Sequence, residues 1–166
     1  MKYILLLCIL ALCTITDIKE RKIHNPVLVV GVIMALLLNC YEGGLHGALE
    51  TLKGLVAGTA VFFVPYLLGW LGAGDAKLTG VIGAFFGWQF IIYATLCIAM
   101  VGGIISVYFL VRQKRGSSLL GNLRMFFFTR SSYYIREHDE KYTFPYAAAI
   151  MLGTALAMGL QVMGYV

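Results

Sequence analysis

The chain has 166 residues, 60% of them hydrophobic and 13% charged, with a formal net charge of +5 and a mean hydropathy of +0.85. A soluble domain of this length has too much surface per unit volume to hide that much apolar side chain, so a water-soluble fold is excluded and lipid is part of the solvent. The positive balance suits nucleic acid or anionic lipid in principle, but the placement of the charges assigns it to membrane orientation, with no nucleic acid as partner.

Met1-Lys2-Tyr3 followed by Ile4 to Leu12 has the outline of a secretory signal peptide, and Leu10-Ala11-Leu12-Cys13 that of a lipoprotein cleavage box. Leu12 is bulky where cleavage wants a small residue, and no A-x-A site follows. A first membrane span near 1–18 is therefore expected. One crossing takes about 20 apolar residues over roughly 30 Å of hydrocarbon, and the following spans fall near 26–41, 51–71, 76–88, 89–111 and 143–164. The stretch Ala76 to Val111 would make about 54 Å of helix, too long for one crossing and enough for two tight ones. Gly87-Trp88-Gln89 supplies the turn, with Trp88 at the interface. Pro26 suits the first turn of the second span. The expected architecture is all-α: a polytopic membrane protein of about six spans forming a single domain over 1–166.

Charge placement supports that count. With six spans, Lys19, Arg21, Lys22, Lys77 and every basic residue from Arg112 to Lys141 share one side, while Lys2 and Lys53 fall on the other. A single crossing between 76 and 111 would set the basic 112–142 loop opposite the basic 19–22 loop, against the positive-inside rule. Both termini are then outside the cytoplasm. The 112–142 loop mixes Arg with Leu119-Leu120, Met125 to Phe128 and Tyr133-Tyr134, as an interfacial amphipathic segment does. Gly54 and Gly58, and Gly83 and Gly87, have the small-xxx-small spacing that permits close helix contact.

Several chemistries lack their residues. Cys8, Cys13, Cys40 and Cys97 lie in apolar runs without a C-x-x-C pair, so they read as small buried hydrophobes and not as zinc or redox ligands. A serine peptidase needs Ser and His at matching depth. Ser106 is the sole Ser within an expected span, whereas His24, His46 and His138 fall in expected loops. His138-Asp139-Glu140 has neither the order nor the second His of H-E-x-x-H, so no metal site is expected. Gly72-Ala73-Gly74 lacks the third Gly of a dinucleotide loop, and no cofactor is implied.

The carboxylates are more informative. Glu42 and Glu50 belong to an expected outer loop, and Glu20, Glu137, Asp139 and Glu140 to cytoplasmic loops. Asp17 and Asp75 alone lie at ends of apolar helices, both at the cytoplasmic face. Met1 to Thr16 makes about 24 Å of helix, short of a full crossing, so the helix continues past Asp17 and draws its carboxylate to the inner boundary. The helix dipole disfavours an anion there, and burial adds on the order of 2–3 kcal/mol at mid-bilayer, less near the interface. An i,i+4 pair with Arg21 is one compensation. Gly72-Ala73-Gly74-Asp75 reads as an N-cap at Asp75, with Lys77 as a neutralising charge. The two glycines also let an extended substrate backbone approach.

If the two carboxyls meet, they cannot both ionise easily and share a proton. One then deprotonates water while the other, protonated, polarises a scissile carbonyl. The competing class is a small polytopic transporter or assembly subunit with Asp17 and Asp75 as an ion or proton site.

Asp17 to Asn25 (Asp-Ile-Lys-Glu-Arg-Lys-Ile-His-Asn) resembles the D-x-[KR]-x-x-[KR]-I-P-N stretch of type IV prepilin peptidases. Gly72-Ala73-Gly74-Asp75-Ala76-Lys77 is similar to their G-x-G-D-x-K motif. Tyr142 to Gly153, with Pro145-Tyr146 and Ile150, resembles the start of their last span. His24 stands where the family usually has Pro. The resemblance implies a GxGD-type membrane aspartic endopeptidase with Asp17 and Asp75 as catalytic pair, and Gly72, Gly74 and Lys77 in support. The implied substrates are prepilin or pseudopilin precursors, cut at the cytoplasmic face of the inner membrane. The paired C-x-x-C motifs of the larger bacterial enzymes, linked to N-methylation, do not occur. Similarity to the compact Tad/Flp-type and archaeal relatives therefore implies cleavage without methylation.

Overall fold

The computed structural model describes residues 1–20, 23–69, 71–112 and 146–164. They form α1 (Lys2–Glu20), α2 (Asn25–Leu67), α3 (Ala73–Arg112) and α4 (Tyr146–Val162), in keeping with an all-α chain. By length and composition, Asn25–Leu67 and Ala73–Tyr108 are each apolar enough to cross a membrane.

Both α2 and α3 are pairs of helices joined at a glycine. Gly44 has φ 55° and ψ −135°, and Gly87 has φ 86° and ψ 177°. Side-chain-bearing residues avoid these conformations, so the chain breaks where Cβ is missing. The break in α3 falls at the turn expected from Gly87-Trp88-Gln89. The outer loop expected between 41 and 51 is not a loop. Residues 42–50, including Glu42, His46 and Glu50, are helical apart from the break at Gly44. Polar residues need not leave a helix at an interface, because the helix satisfies its own backbone. The acids find cations instead: Lys2 pairs with Glu42 at 2.6 Å and Lys53 with Glu50 at 2.9 Å. The expected span 51–71 stops short as well, since α2 ends at Leu67 ahead of Gly69 at φ 74°.

Met1–Gly102 with Pro145–Val166 forms one compact unit, which holds every contact described below; Gly103–Phe144 forms a second, represented here by the last turns of α3. The expected cytoplasmic loop lies outside the described residues beyond Arg112, as do Arg21 and Lys22.

Within the first unit, α1 buries Leu6, Ile9, Leu10, Cys13 and Thr14. That i, i+3, i+4, i+7 stripe faces inward. Against it lies α4, with Ala147, Ile150, Thr154, Ala157 and Met158 buried. Tyr3 bonds Gln161 at 3.3 Å and Thr14 approaches the Ala147 carbonyl at 3.4 Å, so α1 and α4 run antiparallel. The first arm of α3 is buried all round: Leu78, Val81, Ile82, Ala84 and Phe85 are each at most 1% exposed. This is the pattern of a central helix. The second arm of α2 packs backbone to backbone on it, with Gly54 against the Gly83 carbonyl and Gly58 against that of Thr79, where any Cβ would collide. Thr79 Oγ1 donates to the Gly58 carbonyl at 3.1 Å across the same seam. Val29, Val30, Ile33 and Leu37 of α2, and Leu52, Val56, Phe63 and Leu67 beyond its break, stand exposed, an outward rank suited to hydrocarbon and costly in water.

The apolar middle separates two polar ends. At one, Lys2 Nζ donates to Asn39 Oδ1 at 2.5 Å, and Asn39 Nδ2 donates to Thr51 at 2.7 Å and to the Ala84 carbonyl at 2.9 Å. Asn39 thereby caps carbonyls that the break at Gly87 leaves without their helical donors. Asp17 and Asp75 occupy the other end, roughly 20 Å of helix away.

Candidate active site

Asp17 extends the buried stripe of α1 by one more turn, four residues after Cys13 and three after Thr14, and is half-buried. At the C-terminal end of α1 the helix dipole opposes an anion. The compensation comes from another helix: the backbone N–H of Ala147, in the first turn of α4, faces the Asp17 carboxylate. The first turn of a helix has free N–H groups and the positive dipole end, so α4 supplies what α1 lacks. Thr14, bonded to Leu10 O at 2.8 Å within α1, also reaches the Ala147 carbonyl at 3.4 Å and the Met151 sulfur at 3.7 Å in α4. The alternative partner Arg21 lies outside the described residues.

Asp75 is 9% exposed at the start of the central helix. It is not the N-cap. Gly72 is, because its carbonyl accepts from the N–H of Asp75 at 3.1 Å and of Ala76 at 3.4 Å. Asp75 is the third helical residue, and its Oδ2 accepts the Gly72 N–H at 3.1 Å. This is the return half of a capping box. The helix starts earlier than a capping Asp would allow because glycine serves as cap, and the bond back to Gly72 turns the carboxylate inward. Among the described residues, the hydrogen bonds to this carboxylate end on Oδ2.

Asp17 and Asp75, from separate helices, stand within electrostatic range of each other. The Tyr146 hydroxyl is within range of Asp75 as well, and sits beside Gly102, 3.4 Å from where a Cβ would be. Two carboxyl groups and a phenol thus occupy the same end of the first unit, near enough for their charges to act on one another. Carboxyls that share a proton can activate water.

The supporting residues are placed less simply. Lys77 is exposed and donates to Asn25 Oδ1 at 3.0 Å, so the expected neutralisation of Asp75 by Lys77 is not found among the ion pairs of the described residues. Its ammonium points toward the start of α2 instead. Gly72 is exposed, while Gly74 is pressed against Ile23. Among the described residues no group of three or more His, Cys, Asp or Glu is arranged to hold a metal ion.

Three contributors had no role assigned from sequence. Asn25 and Tyr146 stand in the segments that carry the motifs, which was the available signal. Ala147 acts through its backbone and leaves none.

A family model described as the type IV leader peptidase family matches residues 4–107, a span that contains Asp17, Asn25, Asp75 and Lys77. No curated protein and no solved structure matches the chain.

Proposed function

We propose that the chain, which belongs to the type IV leader peptidase family, is an aspartic endopeptidase of the inner membrane that removes short basic leaders from type IV prepilins or prepilin-like proteins. The observation that supports this reading is the family match over residues 4–107, which takes in Asp17 and Asp75, two acids on separate helices at the same end of the first unit.

In this reading the dyad holds one proton between two carboxyls. The ionised carboxyl takes a proton from water as the oxygen attacks the scissile carbonyl, and the protonated one donates to the carbonyl oxygen. As the tetrahedral intermediate collapses, the carboxyl that took water's proton passes it to the leaving amine and the other takes back the hydroxyl proton of the intermediate, which returns the pair to its starting state. The N–H groups of Ala147 and Gly72 fix the two carboxylates in place, and Tyr146 closes the site on the Asp75 side.

The helical segments 2–20, 25–43, 45–67, 73–86 and 88–112, with α4, serve as six spans. The site lies at the cytoplasmic end, with the basic residues from Lys19 to Lys22 and beyond Arg112 on the same side. A prepilin fits that arrangement: its hydrophobic helix remains in lipid while its basic leader reaches water. Methylation is not part of the activity.

Co-expression with a candidate prepilin and intact-mass analysis of the product tests this. The expected product lacks the leader and carries an unmethylated N-terminal amine. Asp17→Asn and Asp75→Asn each leave the precursor uncut while the enzyme still inserts. Leader removal by either variant would overturn the assignment.

A further inference from the structure

Asp17 and Asp75 belong to different helices, so something must hold their separation. The chain leaving α1 supplies two contacts, one on each side of Asp75. Before it, Ile23 packs on Gly74, its Cβ 3.0 Å and its Cδ1 3.3 Å from the position a Gly74 Cβ would take. After it, Lys77 Nζ donates to Asn25 Oδ1 at 3.0 Å. Residues 23 and 25 lie just past the last turn of α1, which carries Asp17, and Asn25 also opens α2. A side-chain bond at an exposed position contributes little to stability by itself. Its consequence is geometric: the Asp75 turn is tied on both flanks to the segment that follows Asp17.

We propose that Ile23 and Asn25 are positioning residues, a two-point clamp that sets the register of Asp75 against Asp17 and so controls the chemical step without touching substrate. Lys77 is the clamp's other jaw and not an electrostatic partner of the dyad. The inference rests on the dyad reading above. A glycine at 74 is required because Ile23 occupies the space of its side chain. Asn25 is required as an acceptor, since Lys77 offers only donors.

A double-mutant cycle with purified enzyme and a prepilin substrate tests the clamp. Asn25→Ala and Lys77→Met should each lower kcat about 10-fold with KM unchanged, the scale expected for a sub-ångström misplacement of reacting groups. The double variant should be no slower than the slower single, because both remove one bond. Asn25→Asp, which still accepts from Lys77, should keep most of the activity. At the other contact, Gly74→Ala should slow cleavage about 10-fold, and Ile23→Ala in the same chain, which trims the side chain that the added methyl group meets, should recover part of that loss. Losses that multiply to about 100-fold, an effect confined to KM, an Asn25→Asp variant as slow as Asn25→Ala, or a Gly74→Ala variant at full rate would each overturn the clamp. Asp17→Asn and Asp75→Asn run alongside: if either still cuts, the dyad reading fails, whereas the Asn25–Lys77 cycle and the Gly74→Ala rescue report on the clamp.

Discussion

The N–H of Ala147, in the first turn of α4, faces the carboxylate of Asp17, in the last turn of α1. One helix thereby answers the unfavourable dipole of another, and the start of α4 becomes part of the candidate site. Tyr146, the residue before it, extends the same helix end toward Asp75.

The role of Tyr146 follows from that placement. Tyr146→Phe keeps the ring against the core and removes the hydroxyl. Cleavage by this variant should fall roughly 10-fold, the loss of one hydrogen-bonding group beside a reacting carboxyl, with its melting temperature in detergent little changed. A full-rate Tyr146→Phe enzyme would remove the hydroxyl from the site.

The far polar end governs stability. Asn39 joins Lys2, Thr51 and the Ala84 carbonyl; in Asn39→Leu, Lys2 keeps Glu42 and Thr51 keeps the Gly47 carbonyl, but the Ala84 carbonyl loses this donor. A destabilisation of about 1–2 kcal/mol is expected from the lost bonds. Thermal unfolding in detergent would report it, while kcat per folded enzyme stays near the wild-type value.

At the seam of α2 and α3, Gly54→Ala would drive a methyl group into the Gly83 carbonyl. Neither backbone can retreat without moving the central helix, so overpacking should cost at least about 1–3 kcal/mol. The expected result is a lower yield of folded protein and faster proteolysis in membranes. Wild-type resistance to protease would show that the helices sit further apart.

A gain is expected at Thr154. Its Oγ1 is buried with no hydrogen-bond partner among the described residues, a cost that Thr154→Val removes at nearly the same shape. The variant should be more stable by about 1 kcal/mol, read as a raised melting temperature in detergent. A lowered one would contradict the assignment of that hydroxyl as unpaired.

Much of this was legible in the residues themselves. Leu6, Ile9, Leu10, Cys13 and Thr14 mark one face of α1, and Asp17 continues it, so its inward direction follows from helical spacing alone. The turn at Gly87 follows from the length of the apolar run around it. The region 42–50 was misleading because Glu42, His46 and Glu50 look the same in a loop as in a helix that reaches the interface. Asp75 reads as a cap because glycine at the true cap leaves no side-chain signature. Asn39 is one amide in an apolar run, and the carbonyl it serves becomes available only once α3 breaks. The N–H that Ala147 turns to Asp17 is main chain, which any residue but proline provides.

The proposed cleavage depends on two acids acting as one catalytic unit, and kinetics with purified enzyme addresses that directly. Leader release from a synthetic prepilin should fall by about 1,000-fold or more in Asp17→Asn and in Asp75→Asn, with the double variant no slower than either single, as for groups that act as a unit. Cleavage within about 10-fold of the wild-type rate by either single variant would contradict the dyad.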